Sequence, residues 1–290
     1  MRILRRWEFF SALLATAVIL GVMLVWCVGG ALVLPANHPI ENPPPDLHAE
    51  NVTFPSTSGA TIHGWFVPGE PRHGVVMLLH GVHANRTVML SRAELLSRAG
   101  YAVLLFDFQA HGESLGNQIT FGFLESRDAT AAVNFLHEKL PGEKIGVIGV
   151  SMGAAAALLA QPPLPVSALV LESCYPTIYQ ATEDRIVERI GLLGRLATPL
   201  LTCQLKPRLG ISPDELKPIA SAKNISVPKF FISGSTDKLT TAQEAKDLFA
   251  AAAEPKQFWL VDGAAHEDLR LVAGGEYDRR VLAFFAERLK

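Results

Sequence analysis

The sequence predicts an α/β fold built on a mostly parallel sheet, and three observations carry that expectation. Short, wholly apolar runs alternate with longer amphipathic stretches from Val75 onward, the pattern of strands buried on both faces and the helices that cover them. Gly and Pro punctuate the changes of pattern, as at Gly100 and Pro141-Gly142. Hydrophobic residues make up 49% of the 290-residue chain and charged residues 19%, a balance that supports a sizeable core and excludes a disordered chain.

In chain order, residues 9–34 carry no charge. About 20 apolar residues cross a bilayer core as a helix, so this run is long enough. Arg2, Arg5 and Arg6 precede it, against Glu8 alone, while Glu41 and Asp46 are the first charges after it. The positive-inside rule then keeps residues 1–8 in the cytoplasm and puts everything after Leu34 on the outer, extracytoplasmic side. A cleaved signal peptide is the competing reading. The run is longer than the usual apolar region of a signal, however, and no clear A-x-A site follows it. Residues 35–46 hold five prolines and read as a semi-rigid linker that spaces the next domain from the membrane.

Residues 47–290 form the globular domain. Residues 51–55 and 61–67 read as a hairpin about Ser58-Gly59. Buried strands are expected at 75–79, 101–106, 144–150, 166–171, 229–233 and 257–261. Helices are expected at 87–99, 122–140, 151–159, 241–252 and 277–289. The connection at about 174–222 is unusually long and apolar for its place, and long insertions in compact domains are commonly lids.

Several function classes fall away. A net charge of −2 opposes binding by phosphate neutralisation, so no nucleic-acid partner is expected. No internal repeat is present. Three widely spaced Cys make neither a disulfide scaffold nor a Cys-rich zinc site. Cys174 and Cys203 are left open between a bridge and two free thiols. No phosphate-cradling loop appears, so no dissociable cofactor is expected.

The sharpest chemical signal is Gly149-Val150-Ser151-Met152-Gly153, which matches G-x-S-x-G between a buried strand and a helix. That context exposes the Ser151 hydroxyl on a tight turn above a helix N-terminus. A hydroxyl needs a base, and the base needs a group to orient it. Asp237 and His266 follow in the required order, each just beyond an expected strand, at the sheet edge where crevices of open α/β sheets form. Glu172, ending the preceding strand, is a rival acid. His80-Gly81-Val82 follows the strand at 75–79, and the amides of Val82 and Met152 are the expected oxyanion donors. His80, Asp107 and Arg86 read as scaffolding.

These motifs, HGVHANR, DFQAHGES, GVSMG, SGSTD and GAAH, occur in an order that resembles the α/β-hydrolase superfamily. The H-G-x-x-x-N-R form and the short lid look like its serine-aminopeptidase and monoacylglycerol-lipase-like branch, which includes membrane-anchored members. The resemblance implies an eight-stranded sheet with helices on both faces, a Ser151–Asp237–His266 triad and no metal. Two departures are Lys-Leu-Thr after Asp237 in place of x-x-Val-Pro, and Gln109-Ala110 in place of Arg-Gly. The expectation is a serine hydrolase (carboxylesterase or lipase-like) that cleaves an ester or thioester of a lipophilic acyl substrate. An exopeptidase of the same fold is one alternative, with Glu172, Glu183 or Asp184 holding the substrate amine. A catalytically inactive binding relative is another.

Overall fold

The computed structural model describes residues 2–289, with side chains for all of these except 2–6 and 8. The charge asymmetry read at Arg2, Arg5, Arg6 and Glu8 therefore lies outside the described side chains. Eight strands form the central sheet: β2 (Glu50–Pro55), β3 (Thr61–Val67), β4 (Val75–Leu79), β5 (Ala102–Phe106), β7 (Ile145–Val150), β8 (Ala168–Glu172), β9 (Lys229–Gly234) and β10 (Lys256–Val261). Their spatial order is β10-β9-β8-β7-β4-β5-β3-β2. The β2–β3 and β3–β5 pairings are antiparallel and the rest are parallel. The expected strands are all present, with ends within two residues.

The apolar runs are continuous because both faces are covered. Val75, Met77 and Leu79 enter one core, whereas Val76 and Leu78 enter the other. On the first face lie α3 (Phe123–Lys139) and α4 (Met152–Leu159), with Ala132, Val133 and the run Ala154-Ala155-Ala156-Ala157 buried there. Leu248 of α9 (Ala242–Ala251) joins them. The second face carries α2 (Leu90–Arg98), through Ala93 and Leu96, and α11 (Gly275–Leu289), through Tyr277, Val281, Phe284 and Phe285. Leu269 of the short α10 (Leu269–Ala273) packs there too. β4 and β7 occupy the sheet centre, so the loops leaving their C-terminal ends sit over the middle of the molecule.

Between β8 and β9 the chain makes the expected excursion. It runs through α5 (Ile178–Ile190), a 3-10 turn (Leu192–Leu196), α6 (Thr198–Thr202), α7 (Leu205–Leu209), a second 3-10 turn (Pro213–Glu215) and α8 (Pro218–Ala222). A separate small core of Ile178, Leu205, Ile211 and Leu216 holds it together. Cys174 is buried, Cys203 is exposed, and both are free thiols.

Helix α1 (Arg2–Leu32) contains residues 9–34 almost entirely, and Phe9–Leu32 is long and apolar enough to cross a membrane, with a mean hydropathy of 2.4. The residues after it differ from the expected spacer. Ala36–Asn37 forms β1, paired in parallel with β6 (His111–Gly112). Ala36 N donates to Ala110 O at 2.7 Å and His38 N to Gly112 O at 3.0 Å, while Ile119 N donates to Val33 O at 2.9 Å. The prolines suggest a semi-rigid spacer standing off the domain, but the carbonyls of Ala110 and Gly112 need donors, and this stretch supplies them. Leu47, in the 3-10 turn Pro45–Leu47, is buried and starts the domain core.

Candidate active site

β7 ends at Val150, and Ser151 turns the chain into α4 with φ 52° and ψ −111°, a strained left-handed backbone for a residue with a Cβ. Two hydrogen bonds hold the turn: Ser151 N donates to Glu172 O at 2.8 Å, and Ser151 O accepts from Ala155 N at 3.0 Å. The flanking glycines are required by close approach. A Cβ on Gly149 would lie 2.7 Å from the Ala154 backbone, and one on Gly153 would lie 2.3 Å from Leu79 O. Gly153 thus lets α4 start against the end of β4. Ser151 is buried, and its hydroxyl makes no hydrogen bond among the described residues.

The loop after β4 passes directly beside this turn, with Gly81 placed so that its Cβ would be 3.7 Å from the Ser151 Cβ. Neither Val82 N nor Met152 N has an acceptor among the described residues, and both residues line the same pocket as Ser151. His80 holds the loop from beneath. Its Nδ1 lies 2.7 Å from Gly81 O and its Nε2 accepts from Phe108 N at 3.1 Å, so the ring is neutral with the proton on Nδ1. Burial, with His111 nearby, drives the His80 pKa down to about 3. His80 therefore acts as scaffold.

Asp107 and Arg86 are scaffold as well. Arg86 Nη1 donates to Asp107 Oδ2 at 2.5 Å, and Asp107 also accepts from the backbone of Arg86 and Glu113. His111 Nε2 accepts from His83 N at 3.2 Å, tying the 80–86 loop to the 107–114 loop.

At the next strand ends, Asp237 and His266 meet. His266 Nδ1 lies 2.8 Å from Asp237 Oδ2, while Asp237 Oδ1 accepts from Leu239 N at 2.8 Å and Thr240 N at 2.9 Å. The Asp237 side chain is fully buried, and the imidazole stays partly open to solvent. Gly234 makes this meeting sterically feasible, because a Cβ there would lie 2.3 Å from Ala264 O. Thr236 then joins the two loops through Oγ1 to Ala264 O at 2.9 Å. No hydrogen bond joins Ser151 Oγ to His266, although both sit at the C-terminal edge of the sheet. The rival acid Glu172 is engaged elsewhere, accepting from Arg92 at 3.0 and 2.6 Å and from Tyr277 Oη.

Ser151 opens into a cavity of about 480 Å³, in the range of small-molecule sites. Its walls are overwhelmingly apolar. Ile178, Ile186 and Leu205 come from the 174–222 excursion, and Leu24, Val28 and Leu32 come from α1. The lining residues include Arg185, Arg189 and Arg208 but no Asp or Glu. Sequence reasoning missed both the α1 wall and these arginines. The available signals were the Gly29-Gly30 pair inside an apolar run and the i, i+4 spacing of Arg185 and Arg189.

A family described as serine aminopeptidase, S33, matches residues 70–208, a little under half of the chain. The esterase Pf2001 of Pyrococcus furiosus superposes with a TM-score of 0.73 at 25% identity, covering 89% of this chain and 100% of the esterase. This chain has the α/β-hydrolase fold. Among curated proteins, this chain is similar to the uncharacterized protein Rv2307c of Mycobacterium tuberculosis, 28% identical over 269 residues that cover 91% of this chain and 88% of that one. It is also similar to the alpha/beta hydrolase domain-containing protein WAV2 of Arabidopsis thaliana, 26% identical over 263 residues, covering 87% of this chain and 83% of the plant protein.

Proposed function

We propose that this α/β-hydrolase is a membrane-anchored serine hydrolase that cleaves carboxylic esters or thioesters of lipophilic acyl groups through an acyl-enzyme on Ser151. The observation that carries the reading is a strained, unbonded serine at the floor of an apolar cavity, flanked by two amides without acceptors. The Asp237–His266 pair at the same sheet edge supports it. His266 takes the Ser151 proton as Oγ attacks the acyl carbonyl. The amides of Val82 and Met152 stabilise the oxyanion as it forms. Collapse breaks the bond to the alcohol or thiol, which leaves with the proton from His266. Water, deprotonated by the same imidazole, then releases the acid and restores Ser151. Asp237 keeps the proton on Nδ1 and stabilises the imidazolium. The absent Ser151–His266 hydrogen bond fits a resting state, since such contacts commonly tighten only when substrate binds.

The same cavity argues against an exopeptidase. A free α-ammonium group needs a carboxylate, and none lines the site. Glu172 is held by Arg92, and Glu183 pairs with Arg195 at 3.1 Å. Asp184 is pushed up to about 7 by burial and its neighbour Glu244, which favours its uncharged form. The 174–222 segment serves as lid and α1 as anchor. The test is turnover of p-nitrophenyl acyl esters against aminoacyl anilides by the wild-type protein and Ser151→Ala. Ester turnover alone is expected, falling on the order of 10⁴–10⁶-fold in the variant together with loss of fluorophosphonate labelling. Full labelling of Ser151→Ala overturns the reading.

A further inference from the structure

The membrane-spanning candidate helix and the cavity over Ser151 share residues. Leu24, Val25, Val28, Gly29, Leu32 and Val33, the last two turns of α1 and its exit, line the cavity opposite α5, α6 and α7. This contact is built. Gln204 Nε2 donates to Val25 O at 3.1 Å. Arg208 donates to Trp26 O, and its guanidinium lies 4.1 Å from the centroid of the Trp26 ring. Gly29 faces the same glutamine, and a Cβ there would lie 2.2 Å from Gln204 Oε1, so a larger residue would have to displace that side chain. On its far side the helix is pinned by the Ile119–Val33 hydrogen bond and the β1–β6 pairing. A helix that served only as a tether would need neither the glycine contact nor side chains spent on its carbonyls.

We infer that the last two turns of α1 are a wall of the acyl-binding site, so that the cavity takes one long acyl chain laid between the anchor and the lid. This rests on the serine-hydrolase reading and adds the path of the acyl chain. The wall facing the chain is apolar, as a hydrocarbon ligand requires. The lid beside it is apolar on its outer side as well, with Leu192, Leu193, Leu196 and Leu200 exposed, and α6 packs directly on α1. An acyl ester can therefore enter from lipid surroundings past apolar lid and helix side chains, its ester group reaching Ser151 while the hydrocarbon tail lies between α1 and the lid. Loss of α1 would open one side of the cavity to water, so a mature protein cut after α1 would lack part of its own substrate site.

A long-chain alkyl fluorophosphonate bearing a diazirine at the chain terminus tests this on the full-length protein in lipid nanodiscs. Fluoride leaves as the Ser151 oxygen bonds phosphorus, which fixes the head. Light then inserts the chain terminus into whatever it touches, and peptide mass spectrometry reads the site. Adducts within residues 24–33 or on the facing lid residues 178–209, with a substantial share on 24–33, are expected. Labelling of Ser151 with adducts that never fall on 24–33 overturns this inference alone. Failure to label Ser151 overturns the hydrolase reading and this inference with it. A kinetic arm uses Val28→Trp. The ratio of kcat/KM for C16 against C4 esters should fall at least tenfold, whereas Leu14→Trp, on the exposed part of the helix, should leave it unchanged. An unchanged ratio in Val28→Trp counts against the wall.

Discussion

Gly149, Ser151 and Gly153 show how much chemistry five residues can encode locally. Each glycine answers a backbone approach under 3 Å, and the serine between them takes the strained conformation. That constraint lies within one turn of chain, so it was legible in the sequence. Gly234 answers an equally close approach, but to Ala264 across a loop far along the chain, and nothing in its own neighbourhood signals that. His80 is legible as scaffold for a similar reason, since it follows a buried strand, yet its thermodynamic role needs the structure. Its folded-state pKa of about 3 lies below the ordinary 6.5. The unfolded chain therefore takes up a proton below about pH 6.5 while the folded protein does not. The stability that His80 contributes is complete above that pH and drains as pH falls toward 3, by up to about 1.4 kcal/mol per pH unit. Thermal unfolding between pH 7 and 4 should show His80→Gln with a lower Tm at pH 7 but a shallower decline in acid than the wild-type protein. Parallel declines would remove His80 from the account.

At the scale of elements, strands buried on both faces announce themselves as apolar runs, and the central strands of the sheet could be read in advance for that reason, whereas the largely exposed β2 was legible only through the turn at Ser58-Gly59 and the full count of eight only through the family resemblance. The two-residue β1–β6 pair could not, because two residues carry no period. The five-residue helices α6, α7 and α8 are likewise too short for an amphipathic signature. What binds elements near the site is a buried ionic cluster. Arg92 of α2 bonds Glu172 at the end of β8 and lies 2.9 Å from Asp268, while Tyr277 of α11 donates to the same glutamate. Glu172 also offers its carbonyl to Ser151 N, so the cluster anchors the strand end beside Ser151. Glu172→Leu would strand a buried guanidinium with Asp268 alone. Removing one partner of a buried pair costs about 3–5 kcal/mol, which for a domain of this size lowers Tm by roughly 6–20 °C. The double variant Arg92→Leu/Glu172→Leu should recover much of that loss, since no charge is left unpaired. Calorimetry on the three proteins checks both statements, and a double variant no better than the single one would mean that packing, not charge, holds this corner.

For the whole molecule, the sequence separates an apolar N-terminal stretch, a proline-rich stretch and a globular domain, and the structure packs them together. The separation is reasonable from composition because each stretch has its own. The joining depends on Gln204 and Arg208 reaching α1 from the lid, contacts too distant in the chain for any local pattern to reveal. Their position carries a geometric consequence. At 1.5 Å per residue, the 20 residues from Phe9 to Val28 extend about 30 Å, the thickness of a bilayer core. The lid grips the helix from Val25 onward, so a helix that spans the bilayer holds the lid at the membrane surface rather than above it. The exposed lid leucines then face lipid instead of water, which accounts for an apolar surface that would otherwise be costly. The orientation expected from the basic residues ahead of this stretch would put this face on the outer side. A membrane-impermeant, charged fluorophosphonate added to intact cells should label Ser151 as fully as it does after lysis, with Ser151→Ala unlabelled in both. Labelling that appears only after lysis would put the enzyme on the inner side, and the lid would then meet the opposite leaflet.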